Sequence, residues 1–256
     1  MWRTPFWVTP TVADHEQCIA LTADFRLIQK RKGHRYSVDD MLVAHLACQR
    51  AAAPERVLDL GCGLGSVLLI TAWARPGAEF VGLEALDEHV QYAQRNIQLN
   101  HCQGRARIVG GDMRDDTLVT RLGKFDLVTG SPPYFDPAAG TLCKDPARAA
   151  AHFELRGGVE AYAHAAGLAL GPGGLFVCCA GAEPDGRARD ALARENLGPA
   201  WEQPVVPRQG RPPFLTLLVG ALGWSGSVQQ APPLVLRDVQ GRRTPEHLAI
   251  RSWTGL

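Results

Sequence analysis

The chain has 256 residues, of which 46% are hydrophobic and 21% are charged. This composition is sufficient for a full hydrophobic core, and the length favours one large domain over two small ones. Lys and Arg total 27 against 26 for Asp and Glu, which gives a net charge of +1. The near-neutral balance excludes a globally basic protein, so any nucleic-acid-binding surface has to be local.

The seven cysteines contain no C-x-x-C pair. They predict reduced thiols in a cytoplasmic protein, with neither a disulfide framework nor a metal site. The first residues lack an apolar segment of signal-peptide length, and no later stretch reaches 18 uninterrupted apolar residues. We therefore expect neither secretion nor a membrane span, and the sequence carries no indication of oligomeric state.

An N-terminal extension, residues 1–55, precedes the first clear strand. Its second half contains a predicted helix over residues 39–51. Residues 56–256 are expected to form the main domain of what is a single globular unit. A basic cluster lies just before the helix, and it predicts a local patch for nucleic-acid phosphates; its members are Lys30, Arg31, Lys32 and Arg35.

From residue 56, short β-rich runs alternate with amphipathic segments, which predicts βαβ units in an α/β fold with a parallel sheet. The predicted strands cover residues 57–60, 79–83, 106–109, 126–129 and 175–179. The predicted helices cover residues 66–74, 87–100, 158–170 and 186–196. Two later apolar runs, 201–206 and 214–222, lack a crossover helix between them, so they predict an antiparallel final pair.

The strongest motif is VLDLGCGLGS at residues 57–66, where a strand runs into a glycine-rich turn and a helix. Gly61, Gly63 and Gly65 allow close approach of the backbone to a ligand. Their G-x-G-x-G spacing departs from the dinucleotide pattern and favours S-adenosylmethionine. This cofactor carries an ammonium and a sulfonium, so we expect Asp59 near its ammonium end.

Acidic residues follow the next two predicted strands. Glu84 lies 19 residues after Gly65, where this fold places a carboxylate that binds both ribose hydroxyls. After the third strand, Asp112 is expected to accept a hydrogen bond from the adenine amino group, with Met113 packed against the ring. The combined spacing of these residues indicates an S-adenosylmethionine site.

The fourth strand ends in the sequence Ser131-Pro132-Pro133-Tyr134. An aromatic amine is a poor nucleophile because its lone pair is delocalised into the ring. Acceptors at its two N–H bonds, the Ser131 side chain and the Pro132 carbonyl, would free that lone pair for methyl transfer. The prolines fix the direction of the carbonyl, and Tyr134 offers a flat face for stacking a base.

These motifs resemble those of the amino-methyltransferases with an (Asn/Asp/Ser)-Pro-Pro-(Tyr/Phe) motif, and within them the bacterial tRNA adenine-N6-methyltransferases that modify valine tRNA beside the anticodon. The resemblance implies the class I methyltransferase (Rossmann-like) fold: a seven-stranded, mostly parallel sheet with an antiparallel last strand and helices on both faces. It also implies that the segment before the glycine loop covers the methionine end of the cofactor. The residues matched there are Lys32, Gly33, Tyr36 and Asp39.

Three alternatives stay open at this point. Ser-Pro-Pro-Tyr is similar to the motif of cytosine-N4 DNA methyltransferases, whereas the tRNA enzymes generally carry Asn where this chain has Ser131. The near-neutral charge also suits a methyltransferase of a small molecule or of a protein side-chain amide. A third possibility is a cofactor-binding scaffold subunit without catalysis, against which the intact Asp59, Glu84 and Pro132-Pro133-Tyr134 argue.

Overall fold

The computed structural model of the protein describes residues 10–133, 153–154, 157–182 and 186–256, within which the chain forms eleven strands and seven helices. The strands are β1 Glu16–Ala20, β2 Arg26–Lys30, β3 Arg56–Leu60, β4 Glu79–Glu84, β5 Ala106–Gly110, β6 Phe125–Gly130, β7 Leu170–Gly181, β8 Leu197–Val206, β9 Leu215–Leu222, β10 Gln229–Gln230 and β11 Leu234–Val235. The helices are α1 Val38–Arg50, α2 Ser66–Ala74, α3 Asp87–Leu99, α4 Asp116–Arg121, α5 Val159–Ala169, α6 Arg187–Arg194 and α7 Pro245–Trp253.

The main sheet has the strand order β10-β8-β9-β7-β6-β3-β4-β5, with β11 also paired to β8. Strand β9 is antiparallel to both of its neighbours, and the other pairs are parallel. The predicted seven-stranded sheet with an antiparallel last strand is therefore confirmed for β3 to β9. The two-residue strands β10 and β11 extend it at the β8 edge, and they are too short for a hydrophobic period to reveal them.

The order of the strands reverses at β3. The chain runs outward from β3 through β4 to β5 and then returns to the other side of β3 as β6, where Leu60 pairs with Gly130. Open α/β sheets bind their ligands at such a switch point, outside the carboxyl ends of the strands. The glycine loop after β3 and the Ser-Pro-Pro turn after β6 consequently leave the sheet side by side.

Helices cover both faces of the sheet, as the resemblance implied. Successive strand residues point to opposite faces, and Val57 and Leu58 accordingly belong to two different buried clusters. The first cluster packs α1, α2 and α3 against the sheet, and the second packs α5 and α6. Within the described residues, no helix has the length and apolarity needed for a membrane span.

An N-terminal hairpin, β1 paired antiparallel to β2, was not predicted from the sequence. It is attached to α3 by the buried amide of Asn96, which bonds to the N–H of Ile28 at 2.7 Å and to its carbonyl at 3.0 Å. The same amide donates to the carbonyl of Leu64 at 2.9 Å. One asparagine thus links the hairpin, α3 and the glycine loop, and the buried core is continuous across residue 55.

Candidate active site

A cavity opens at the carboxyl ends of β3, β4 and β6, and it collects most of the residues singled out from the sequence. Two strand ends, two loops and the start of α1 contribute to its wall. The predicted residues that line it are Asp39, Asp59, Gly61, Gly63, Glu84, Asp112, Met113, Ser131, Pro132 and Pro133. The glycine loop and the Ser-Pro-Pro turn therefore share one cavity.

Four predicted cofactor residues do not line this cavity. Gly65 is the N-cap of α2 and has a φ of +82°, a left-handed conformation that glycine adopts without strain. Glycine is therefore required here for the turn into the helix. Tyr36 is half-buried against the core, where burial raises the pKa of its hydroxyl. Lys32 and Gly33 lie in the turn after β2. Tyr134 lies outside the described residues.

The glycine loop is held in shape by Glu84. Gly61 and Gly63 have φ values of +57° and +55°, a left-handed conformation that glycine adopts without strain. The two carboxylate oxygens of Glu84 accept hydrogen bonds from the N–H groups of Gly63 and Leu86, both at 2.8 Å. Glu84 is buried yet borders the cavity, so it fixes the loop from within the site itself.

Two further carboxyl groups border the cavity, those of the buried Asp59 at the end of β3 and the half-buried Asp40 in the first turn of α1. Asp59 accepts hydrogen bonds from the Thr129 hydroxyl at 2.8 Å and the Leu68 N–H at 3.1 Å. Asp40 accepts a hydrogen bond from the Ser66 hydroxyl at 2.7 Å. Burial raises the pKa of Asp59 to about 7 and that of Asp40 to about 6.

Asp40 was missed in the sequence, although a signal for it exists. It lies three residues after Ser37, whose N–H donates to the Asp40 carboxylate at 3.3 Å. An acidic residue three positions after a serine is the sequence pattern of a helix N-terminus. That pattern predicts the start of α1 but does not indicate that the carboxyl turns toward a ligand cavity.

The charges of the cavity wall match a cationic ligand. Among the described residues, five carboxyl side chains line it against one arginine, Arg35. A dinucleotide would bring a pyrophosphate into this acidic wall, whereas S-adenosylmethionine brings an ammonium and a sulfonium. Asp112 is already engaged by Arg114, whose Nε and Nη2 lie 2.9 and 2.6 Å from its two oxygens. The set of side chains present therefore fits S-adenosylmethionine.

Ser131 contacts a second residue that the sequence did not indicate. Its Oγ lies 3.4 Å from the Sγ of Cys179, a fully buried residue of β7. Burial raises the pKa of the Cys179 thiol, so the sulfur stays protonated and neutral. A serine that donates its proton to this sulfur keeps its oxygen lone pairs available to the cavity. Pro132 is buried beside it and Pro133 is half-buried.

Tyr162 of α5 is another cavity residue that the sequence did not indicate. Its side chain lies between the glycine loop and the end of β6. A methyl group built on Gly61 would overlap the Tyr162 hydroxyl, and a methyl group built on Gly130 would lie 2.6 Å from the Tyr162 ring. The residue is 6% exposed and borders the cavity. Its hydroxyl has no hydrogen-bond partner among the described residues.

Comparisons with known proteins agree with this geometry. The family model described as "Methyltransferase small domain" matches residues 37–155. A Yersinia enterocolitica protein named tRNA1(Val) (adenine(37)-N6)-methyltransferase is 28% identical over 200 residues, which cover 77% of each chain. A Bacteroides fragilis protein of the same name is 28% identical over 163 residues, covering 64% of this chain and 68% of that one.

The solved structures agree on the fold. A predicted O-methyltransferase from Agrobacterium tumefaciens superposes with a TM-score of 0.66 at 19% identity, covering 84% of this chain and 96% of that one. The chain is a class I S-adenosylmethionine-dependent methyltransferase. In this methyltransferase the cofactor predicted from the glycine loop is confirmed, and the acidic cavity at the switch point is the place that suits it.

Proposed function

We propose that this methyltransferase transfers a methyl group to the N6 amino group of adenine in tRNA, at position 37 beside the anticodon of a valine tRNA. The observation that carries the proposal is the position of the Ser131-Pro132 turn, which follows β6 next to the glycine loop and lines the same cavity. The names of the similar proteins from Yersinia enterocolitica and Bacteroides fragilis support this choice of base and RNA.

Residues of β3, β4 and their loops would hold the cofactor. Gly61 and Gly63 would let it approach the backbone, and Glu84 and Asp59 would face its polar groups. Asp39 and Asp40, at the start of α1, add carboxyl groups to the same wall. When bound, S-adenosylmethionine supplies an electrophilic methyl group on a sulfonium.

The Ser131-Pro132 turn would orient the attacking amine. The Ser131 hydroxyl shares a hydrogen bond with the Cys179 thiol, and a remaining lone pair of its oxygen would accept one N–H of the amine, while the Pro132 carbonyl would accept the other. Both bonds draw the nitrogen lone pair out of conjugation with the ring. Because the nitrogen loses its proton readily once it is cationic, positioning replaces a general base.

The test is transfer of labelled methyl from S-adenosylmethionine to total tRNA from a strain that lacks this gene, followed by nucleoside analysis. We expect label in N6-methyladenosine. Ser131→Ala and Tyr134→Ala should lose turnover while retaining cofactor binding, and Glu79→Gln, an exposed position on β4, should behave as wild type. Label in N4-methylcytidine would move the target to cytosine, and absence of transfer to any tRNA would refute the proposal.

A further inference from the structure

Two loops beside the outer strands of the sheet carry an exposed group of arginines, here called the arginine platform. It consists of residues 207–213, between β8 and β9, and residues 236–243, between β11 and α7. Its cations are all exposed arginines: Arg208, Arg211, Arg237, Arg242 and Arg243. With Asp238 as the one acidic residue of these loops, the platform has a formal charge of +4 in a chain of net charge +1.

The platform has a fixed backbone. The N–H of Gln209 in the first loop donates to the carbonyl of Arg237 in the second at 2.8 Å, and the guanidinium of Arg208 donates to the carbonyl of Val239. Arg237 and Arg243 face each other in an antiparallel bridge. The two loops therefore present their arginines as one preorganised surface.

Most of these charges are not neutralised by the protein. Arg242 pairs with Asp238 at 2.9 Å, but in the part of the chain that the structure describes no carboxylate lies within 4.0 Å of the other four guanidinium groups. The buried His247 lies beneath the second loop, and its pKa is lowered by burial first and then by the positive charges of Arg243, Arg251 and Arg237. The arginines thus share one region of positive potential.

The platform lies on the same edge of the sheet as the Ser131 turn. The carboxyl ends of the parallel strands β6, β7 and β8 meet at that edge, with antiparallel β9 between β7 and β8. The N–H of Ala182 after β7 donates to Phe214 at 3.3 Å, and the N–H of Phe214 donates to Val205 of β8 at 3.0 Å. At about 4.8 Å per strand, the backbone of the platform lies roughly 10–20 Å from the turn after β6.

We propose that the arginine platform binds the phosphate backbone of the RNA whose base enters the cavity at Ser131. This inference rests on the proposed function and deepens it. Both loops use arginine and contain no lysine, and the arginine fork matches phosphate oxygens in a bidentate geometry. A base that undergoes chemistry is splayed out of its stack, so phosphates of neighbouring nucleotides lie outside the cavity and within reach of such a surface.

Two members of the basic cluster that the sequence suggested, Lys30 and Arg31, are less available for this role. Lys30 is paired with Glu88 at 2.6 Å, and the Nε of Arg31 donates to the carbonyl of Asp14 at 3.0 Å. These residues lie at the end of β2, on the hairpin that packs on α3 beside the cofactor half of the site. The platform instead lies on the far side of the Ser131 turn from β4, beyond β7 and β9.

The inference is tested by anisotropy titration of a labelled, unmodified valine tRNA transcript against the triple variant Arg208→Gln/Arg211→Gln/Arg243→Gln. Loss of three single-strand phosphate contacts should weaken binding on the order of 10- to 50-fold at about 0.15 M salt and reduce the slope of log K against log salt by about two. The matched control is Arg107→Gln/Arg121→Gln/Arg194→Gln, three exposed arginines outside the platform. Cofactor affinity should stay at the wild-type value in both variants.

The outcomes separate this inference from the function on which it rests. If the wild type methylates tRNA and the platform variant binds the transcript as tightly as the control variant, only the inference is overturned. If the wild type neither binds nor methylates RNA, both fail. A competition experiment tests the class of ligand: labelled oligouridine is displaced either by unlabelled oligouridine or by polyglutamate of equal total charge. If polyglutamate is the equally effective competitor, the assignment to RNA is overturned in favour of an acidic protein.

Discussion

The Oγ of Ser131 and the Sγ of Cys179 lie 3.4 Å apart, across the pair formed by β6 and β7. This contact joins the one hydroxyl of the Ser-Pro-Pro turn to a buried, neutral thiol that does not itself line the cavity. We therefore expect Cys179 to act as a positioning residue, because its contact fixes the orientation of the serine hydroxyl.

The first prediction concerns this contact. Cys179→Ala should lower kcat about tenfold, because the serine hydroxyl then loses the contact that orients its lone pair toward the substrate amine. Cofactor affinity should change little. Cys178→Ala is the matched control, because Cys178 is equally buried on the same strand and carries no hydrogen bond to the turn. Single-turnover kinetics measure the effect, and equal losses in both variants would mean that only packing is affected.

The hydroxyl of Tyr162 provides a second prediction. Tyr162→Phe removes one oxygen that has no hydrogen-bond partner among the described residues, so the free energy of unfolding should stay within about 0.5 kcal/mol. Because the hydroxyl lies against the glycine loop, cofactor affinity should fall about five- to tenfold, as expected for one lost neutral hydrogen bond. Calorimetric titration checks this. An unchanged cofactor Kd would show that the hydroxyl does not reach the ligand.

A third prediction concerns the packing of Tyr162 against Gly130. Gly130→Ala places a methyl 2.6 Å from the Tyr162 ring and should cost about 1–3 kcal/mol of stability. Adding Tyr162→Leu should recover part of that loss, because the added methyl then has room. Urea unfolding of the two single variants and the double variant measures the coupling. Additive losses would contradict a direct clash between these two side chains.

Gly61→Ala is the useful comparison for that pair. The same tyrosine blocks a methyl there, but Gly61 also has a left-handed φ of +57°. Removing the tyrosine side chain relieves the overlap and leaves the backbone strain of roughly 1–2 kcal/mol. The rescue by Tyr162→Leu should therefore be smaller at Gly61 than at Gly130.

The fourth prediction concerns Glu84. Glu84→Gln replaces one acceptor oxygen by an NH₂ group, which then faces the N–H of Gly63 or Leu86 and cannot accept from it. The glycine loop should lose its fixed shape, and cofactor affinity should fall at least tenfold, or about 1.4 kcal/mol. Glu79→Gln, at the exposed start of the same strand, should bind the cofactor as wild type does. Equal affinities in the two variants would refute this role for Glu84.

The fifth prediction is a pH dependence. The pKa of Asp59 is raised by burial to about 7, from an ordinary value of 3.8, so the folded protein binds more protons than the unfolded chain between these values. The contribution of Asp59 to stability therefore declines as pH rises from about 4 to 7. The unfolding free energy of Asp59→Asn relative to wild type should increase over that window. Urea titrations across the window check this, and a constant difference would contradict it.

Several elements followed from the sequence because their signals are local. The helix α2 begins and ends at the predicted residues, since a glycine turn precedes it and apolar residues run through it. The strands β3, β4, β5 and β6 agree within a residue, because buried parallel strands read as short apolar runs between turns. The hairpin β1–β2 and the helix α7 were missed, although Thr244 and Pro245 provide a helix-start signal that was left unused.

The sequence by itself also determined the two motifs and their shared cavity, because parallel strands flanking a switch point place their carboxyl ends together. Only the tertiary structure decided which neighbours complete that site. Tyr162 reaches Gly61, Cys179 reaches Ser131, and the two arginine loops join through Gln209, in each case across a wide sequence separation. Such contacts depend on how helices and strands pack against one another, and neither the hydrophobic periodicity of a segment nor the spacing of residues in a motif predicts that packing.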